Sequence, residues 1–460
     1  FQAEDGIRDL VRSRGLGDVY KRQVGGSEIA ASSINNAQIK DDVTYITEFT
    51  TLNENMAAAS LIWALNVDTN DQSRALQALL SAKISGPMGA ISARESIDFR
   101  VINNIDLTIN ATPKHLILTI TSPKENFKDA IKHINQILRN TEINKNWLKR
   151  KNRAYEEISS SRLRTPELLE IELTDYTLFS GNSPLINKSA LKSEILRRPN
   201  QIIFNAKNYN FKNLADVLMD GLLSHDATLN NFPSKPYRKL PAGIIHSSDA
   251  NSSETLIFIG TIREFKTVRE QAQTNILYKY MGYGPGSEMF RIIRQEKRAS
   301  YDPRSHFTQI GKQLAFTGLS ATVSSKNWHE VYDLILKIYN DTRAGINTEQ
   351  GLQDSRDSMI NNLVGNLRRR PEWLAQRYLE LHPVKPPEQI IDIKLLSESF
   401  SVLPLELNNK ANKILENPVK LISIIIGGKI NPKMEIQHNM FCKLPPNKRL
   451  DYCLDELTSG

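Results

Sequence analysis

Residues 282–301 read Gly-Tyr-Gly-Pro-Gly-Ser-Glu-Met-Phe-Arg-Ile-Ile-Arg-Gln-Glu-Lys-Arg-Ala-Ser-Tyr, and no other stretch of the chain is as informative. Three glycines interrupt its first part, namely Gly282, Gly284 and Gly286. The residues after them predict a short amphipathic helix that ends near Arg294, and Tyr301 follows seven positions later. A glycine-broken loop that opens a helix is typical of two structures, a phosphate-binding loop and a flexible turn between helices.

The segment before the glycines decides between these two structures. Phosphate binding requires a strand there, followed by a helix whose N-terminal amide groups face the anion. Residues 267–281 instead carry apolar side chains at helical spacing, at Val268, Ala272, Ile276, Leu277 and Tyr280. The glycines are therefore expected to form a turn between two helices, and a nucleotide site is disfavoured.

The elements around this turn follow a regular order. We predict a strand over 254–262, the helix over 267–281, a strand over 313–324 and a helix over 327–342. Thr348-Glu349 then opens a further helix, which extends to about residue 369, and helices are also predicted over 371–381 and 404–416.

This order resembles the C-terminal half of the pitrilysin/insulinase metallopeptidase family. The family's segment reads like Arg-Glu-x-Arg-Gly-Leu-Ala-Tyr followed by a strand, and this chain matches the spacing of its arginine and tyrosine. The likeness extends from Glu254 to Gly428, with weaker matches over 70–230. The resemblance implies that the chain handles peptide substrates.

The resemblance also implies roles for four residues. Arg294 and Tyr301 would grip the backbone of a peptide, and Gly284 and Gly286 would form the substrate-binding turn before them. A guanidinium offers rigid donors to a peptide carbonyl, and a phenol can donate to the oxyanion on an attacked carbon. Arg298 competes for the role of the arginine because it lies closer to Tyr301 in the sequence. The alternative without function is a surface arginine at a helix end and a tyrosine that caps a strand.

Enzymes of this family hold zinc on a His-x-x-Glu-His motif, which this chain lacks. Its eight histidines never fall three to five residues apart. Where the resemblance places the motif, the chain carries Gln77 and Ser81 for the ligands and Leu80 for the general base. Glu156 takes the place of the distal ligand, and one carboxylate cannot hold zinc. We therefore expect no metal and no other cofactor, with zinc only in a partner subunit.

The first half predicts a similar mixture of strands and helices. Strands are predicted over Ala57–Leu65, 98–110 and 115–121, and helices over Asn70–Lys83, 144–163 and 166–179. Another helix begins after residue 121, with Ser122 as N-cap, Pro123 in the first turn and Glu125 completing a capping box. Its apolar face comprises Phe127, Ala130, Ile131, Ile134, Ile137 and Leu138.

The predicted fold class is α+β, with two similar domains that each form a mostly antiparallel β-sheet backed by helices. We place the domains at 24–230 and 243–435, separated by a proline-rich linker at 231–242 and followed by a tail at 436–460. Residues 1–23 lack periodicity and look like translated sequencing-adapter DNA, so we exclude them from the fold and expect the true N-terminus to be missing.

Composition and charge disfavour other classes of protein. The 59 basic and 51 acidic residues give a net charge of +8 that is spread along the chain. The densest basic cluster, 149–153, lies on a predicted helix without the aromatic side chains of a nucleic-acid surface. No apolar run approaches the roughly 18 residues of a membrane span. Cys442 and Cys453 could form one disulfide or none, and without nearby histidines no metal site is predicted there.

The leading hypothesis is a metal-free partner subunit of a two-component zinc peptidase. The other subunit would carry His-x-x-Glu-His, and this chain would grip unfolded peptides without being catalytic alone. The alternative is a purely structural or peptide-holding subunit with no role in proteolysis. Bacterial relatives are often exported, so the resemblance implies a periplasmic location.

Overall fold

A computed structural model confirms the α+β fold class, with two mostly antiparallel sheets of six strands each. The structure describes residues 35–40, 43–48, 55–64, 70–111, 115–140, 142–160, 165–178, 197–206, 209–211, 213–223, 237–300, 302–311, 314–369, 395, 398–429, 440–445 and 448–459. None of the helices in these ranges combines the length and the apolar character needed to cross a bilayer.

The first sheet has the strand order β1-β2-β6-β3-β5-β4. Its strands are β1 (Asn35–Lys40), β2 (Val43–Glu48), β3 (Met56–Ala64), β4 (Asp106–Ala111), β5 (His115–Pro123) and β6 (Gln201–Asn205). The helices of this half are α1 (Asn70–Ser85), α2 (Ala93–Ile102), α3 (Lys124–Arg139), α4 (Lys145–Ser160), α5 (Pro166–Leu178) and α6 (Leu214–Met219).

The second sheet has the order β12-β7-β11-β8-β10-β9. Its strands are β7 (Gly243–Ser247), β8 (Glu254–Glu264), β9 (Arg304–Gly311), β10 (Leu314–Ser324), β11 (Ile422–Ile426) and β12 (Phe441–Lys443). The helices are α7 (Val268–Gly282), a π-helix (Phe290–Glu296), α8 (Trp328–Arg343), α9 (Glu349–Arg369), α10 (Pro404–Ile414), a 3₁₀ turn (Pro418–Lys420) and α11 (Leu450–Ser459). The helix predicted over 371–381 lies outside the described residues.

The chain follows the same path through both sheets. In the first, β3 leads through α1 and α2 to the hairpin β4–β5 and then to α3; in the second, β8 leads through α7 and the π-helix to the hairpin β9–β10 and then to α8. A late strand, β6 or β11, then inserts antiparallel to the central strand and parallel to its other neighbour. By this equivalence α1 corresponds to α7, and α2 corresponds to the π-helix.

Helix α3 confirms the predicted apolar face but not the predicted cap. All six of the apolar side chains predicted to face inward are at most 2% exposed. The capping box was a wrong prediction, because Pro123 occupies the N-cap position and makes no side-chain hydrogen bond. The Ser122 hydroxyl instead donates to the Pro123 carbonyl, at 3.1 Å. Strand β5 continues to Pro123, which leaves Ser122 inside the sheet, where it cannot cap the helix.

The strand predicted over 98–110 is also wrong in its first half, because α2 occupies Ala93–Ile102. This helix begins with a true capping box: Ser92 Oγ accepts from the Glu95 amide, and Glu95 Oε2 accepts from the Ser92 amide. The Ser-x-x-Glu signal is present in the sequence and was not used. Three apolar side chains of this region, Ile97, Val101 and Ile102, are exposed. The apolar pattern of 98–102 therefore did not indicate a buried strand.

The C-terminal segment and α5 together cover the face of the second sheet opposite α7 and α8. Leu169 and Leu173 of α5 pack in one buried cluster with Phe258 and Phe316 of the sheet. The segment 440–459 adds β12 beside β7 and lays α11 on the same cluster, joined by a buried Cys442–Cys453 disulfide. Helix α5 therefore belongs to the first half in sequence and packs on the second sheet.

Burial of His133 in the first core makes stability depend on pH. Desolvation, together with the charge of Arg100, lowers the pKa of His133 to about 4, and its side chain contacts Ser96 Oγ at 3.2 Å. Between pH 6.5 and 4 the unfolded chain binds a proton that the folded chain excludes, so the free energy of unfolding should fall by about 3 kcal/mol as pH drops through this window. Urea unfolding at several pH values measures this fall, and it should be smaller in His133→Gln. Identical pH slopes in the two proteins would contradict the assignment.

Candidate functional site

Two of the three glycines of the turn are required by the backbone, each for a different reason. A Cβ atom on Gly282 would lie 2.4 Å from the Ser305 backbone nitrogen, so this glycine allows α7 to end directly against β9. Gly284 has φ +79°, a left-handed conformation that glycine adopts without strain. Gly286 faces open space, with no atom within 4 Å of a built Cβ. The exposed turn 283–286 thus joins two helical segments, as the sequence predicted.

The helix after the turn is a π-helix over Phe290–Glu296. Ser287 starts the segment: its hydroxyl donates to the Gly284 carbonyl at 2.8 Å and accepts from the Phe290 amide at 3.4 Å. The wider turn is shown by the Lys297 amide, which donates to the Ile292 carbonyl five residues earlier. Short π-helical segments are rare and occur often at functional sites. The sequence predicted a helix here but contains no signal for its π geometry.

Arg294 lies on the exposed side of this helix. Its guanidinium carbon sits 4.8 Å from the centroid of the Phe290 ring, one turn earlier. Ile293 beside it is fully buried and fixes the orientation of the segment. Tyr301 lies outside the described residues, so the structure does not place the second member of the predicted pair. The substrate-binding roles of Arg294, Tyr301, Gly284 and Gly286 stay predictions.

Arg298, the predicted competitor of Arg294, ends the helix in a left-handed conformation with φ +53°. The Ala299 amide donates to the Ile293 carbonyl six residues earlier, so Arg298 lies in the turn that closes the π-helix. Glycine usually occupies this position, and the family pattern Arg-Glu-x-Arg-Gly-Leu-Ala-Tyr places its glycine there when its arginine is set on Arg294. Arg294 and Arg298 therefore have different backbone roles, because only Arg298 terminates the helix.

The segment after Arg298 is fixed to the sheet on both sides of position 301. Ser300 bridges to Val323 of β10 and donates through its hydroxyl to the Thr322 carbonyl at 2.7 Å. Asp302 Oδ1 accepts from the Thr322 amide at 3.1 Å, and the Asp302 amide donates to Ser300 Oγ at 3.2 Å. This network holds the ends of the 300–302 segment against β10.

Lys279, close to the glycine turn, is a residue that the sequence analysis missed. Its ammonium lies 3.4 Å from the centroid of the Tyr283 ring, and the Tyr283 hydroxyl accepts from Asn362 of α9 at 3.0 Å. Burial lowers the pKa of Lys279 to about 8. The spacing of Lys279 and Tyr283 is visible in the sequence, but the burial depends on the packing of α7 against α9.

The positions that the resemblance assigns to zinc ligands do not fit a metal. Leu80, at the position of the general base, is fully buried in the first core, and Gln77 lies one turn before it on α1. Helix α1 packs against α4, which carries Glu156, whose side chain lies outside the described residues. Within the described ranges one cluster of three ligand-type side chains occurs, Cys442, Cys453 and Glu456, and its two sulfur atoms are bonded to each other.

Comparison with solved structures decides the fold. The chain superposes with a TM-score of 0.66 on the crystal structure of a peptidase M16 inactive domain from Pseudomonas fluorescens, at 13% identity over 86% of this chain and 98% of that one. The chain has the fold of the peptidase M16 inactive domain. The resemblance to the pitrilysin/insulinase peptidases is thereby confirmed at the level of the fold.

Two further solved structures superpose on this chain over nearly their whole length. A protease from Helicobacter pylori gives a TM-score of 0.68 at 11% identity, with 86% of this chain and 99% of that chain covered. A conserved protein from Enterococcus faecalis V583 gives 0.62 at 13% identity, with 86% and 100% covered. No sequence model of a protein family and no curated protein matches the chain. The M16 fold is thus retained here with very little sequence in common.

Proposed function

We propose that this chain is the metal-free, substrate-binding subunit of a two-component zinc peptidase with the M16 fold. The other subunit would supply the His-x-x-Glu-His motif and the zinc ion. This chain would hold an unfolded peptide that adds to a sheet edge through backbone hydrogen bonds, with Arg294 and Tyr301 on its carbonyl groups.

One observation carries this proposal: the fold of an M16 inactive domain keeps the glycine turn and an exposed Arg294 on a π-helix, while a buried Leu80 occupies the position of the general base. A purely structural subunit would have no need for a rare helix geometry beneath an exposed arginine. A substrate-holding subunit needs the glycine turn of the second half but does not need the zinc motif in the first half.

Reconstitution with a zinc subunit tests the proposal. The purified chain is combined with the product of a neighbouring gene that carries His-x-x-Glu-His, and cleavage of an unstructured fluorogenic peptide is followed. We expect each subunit alone to be inactive and the mixture to be active and sensitive to a chelator. Zinc bound at about one equivalent per chain of this protein, with chelator-sensitive cleavage by this protein alone, would refute the proposal. Assembly without any gain in cleavage would favour a structural subunit.

We propose a periplasmic location for the same protein. The buried Cys442–Cys453 disulfide supports it, because disulfides persist in oxidising compartments and are rare in the cytosol. Alkylation of free thiols in intact cells, followed by mass spectrometry, measures the redox state of the pair. Two alkylated cysteines in the native protein would contradict this location.

A further inference from the structure

A small pocket adjoins the end of the π-helix. It has a volume of about 160 Å³, and its lining includes Lys297, Arg298, Glu330 and Val331, the other lining residues being uncharged. Pockets for drug-sized ligands and cofactors have volumes of roughly 300–1,000 Å³. This pocket is therefore too small for a cofactor and has the size of one amino-acid side chain or chain terminus.

Among the described residues, the charges around the pocket pair off except for one cation. Lys297 Nζ donates to Glu330 Oε1 at 2.9 Å, so these two opposite charges are paired at the rim. The guanidinium of Arg298 is exposed and has no hydrogen bond or ion pair to any residue that the structure describes. The net charge of the lining is thus +1, which favours a ligand group with a single negative charge.

The backbone of Arg298 is a second and independent observation. A left-handed conformation costs a residue with a Cβ atom roughly 1–2 kcal/mol, and glycine would avoid this strain. An arginine at a position suited to glycine is expected where its side chain has a binding role that offsets the backbone strain. Val331, at the base of the pocket, is 1% exposed, so a bound group would meet an apolar wall beside the guanidinium.

We propose that this pocket binds one carboxylate of the peptide held by the chain, with Arg298 donating two parallel hydrogen bonds to it. A guanidinium matches the planar geometry of a carboxylate, whereas a phosphate dianion would exceed the single free charge. The carboxylate comes either from an acidic side chain or from the C-terminus of the peptide. This inference rests on the proposed function and adds to it a preference for peptides that present a free carboxylate.

Peptide binding by fluorescence anisotropy tests the proposal. Four versions of one labelled, unstructured peptide are compared. The first has Glu and an amidated C-terminus, and the second has Gln and a free C-terminus. The third has Glu and a free C-terminus, and the fourth has Gln and an amidated C-terminus. We expect the peptides that carry the effective carboxylate to bind about tenfold more tightly than the version with neither, since hydrogen bonds to charged groups are among the stronger ones. The first two versions distinguish a side-chain carboxylate from a terminal one.

Variants of the chain complete the test. Arg298→Gly should abolish the tenfold preference and, by relieving the left-handed strain, raise the melting temperature by about 2–4 °C. Arg298→Gln should abolish the preference without the stabilisation. Arg291→Gln, which removes the same charge from the same helix, should keep the preference. Equal affinity of the wild type for all four peptides would overturn this inference and leave the proposed function intact, whereas no binding of any peptide would overturn both.

Discussion

Gly318→Ala is expected to destabilise the second half of the molecule by about 3 kcal/mol, the upper part of the range for overpacking a core. A Cβ atom at Gly318 would lie 2.3 Å from Cε2 of Phe258. The Phe258 ring is fully buried and stacks on Phe316 at a centroid distance of 5.2 Å, so it cannot move aside. Gly260, paired directly with Gly318 across β8 and β10, faces the same ring at 2.5 Å. The two glycines together make the space that the ring occupies.

The same substitution at Gly365 is the matched control. Gly365 lies in α9 with no atom within 4 Å of a built Cβ, so alanine there should stabilise the helix by about 0.5–1 kcal/mol. Urea unfolding followed by tryptophan fluorescence compares the two variants with the wild type. A Gly318→Ala protein as stable as the wild type would show that the aromatic stack is not rigid.

In the proposed two-subunit peptidase, reconstituted from this chain and a zinc-binding partner, Tyr301→Phe should lower kcat by about 10²–10³-fold, because it removes one donor to the oxyanion. Arg294→Gln should lower kcat/KM by about 10- to 100-fold, because hydrogen bonds from a charged group to a peptide carbonyl stabilise the complex by a corresponding free energy. Arg294→Gln should not disturb folding or assembly, since Arg294 is exposed on its helix, and Tyr301→Phe keeps the aromatic ring. Initial rates with a fluorogenic peptide measure the activity, and size-exclusion chromatography checks assembly.

Arg291→Gln serves as the control for Arg294→Gln. Arg291 lies on the same π-helix, but its guanidinium is already paired with Glu288 and Glu296. Its replacement should leave the activity of the mixed complex unchanged. If all three variants retained wild-type rates in an assembled complex, the pair would have no role in substrate binding, and the subunit would be a scaffold.

Much of the fold could be predicted because its signals are local. Strand β3, helices α1, α3 and α8 and the hairpin β4–β5 follow from apolar periodicity within single segments. The strand prediction was wrong over 98–102 because the capping box at Ser92 and Glu95 starts a helix that continues through these residues. Strands β7 and β9 and the C-terminal helix α11 were not predicted, because β7 and β9 are short or polar-patterned and α11 is stabilised mainly by partners distant in sequence.

The candidate site divides in the same way. The glycine turn and the position of Arg294 were read from the sequence, and the structure places them on one exposed helix-turn segment. The π geometry, the left-handed Arg298 and the pocket beside it were not predictable. The pocket forms where β10 and α8 meet residues 297–300, and no residue type in the stretch encodes that contact.

By itself the sequence determined the alternation of helices and strands, the absence of a His-x-x-Glu-His motif and the place of the glycine turn, because each is written in neighbouring residues. Only the tertiary structure decided that α5 and the C-terminal segment pack on the second sheet, that the cysteines meet, and that Arg298 lines a pocket with its side chain exposed. These features arise from contacts between residues distant along the chain, and periodicity carries no information about such contacts.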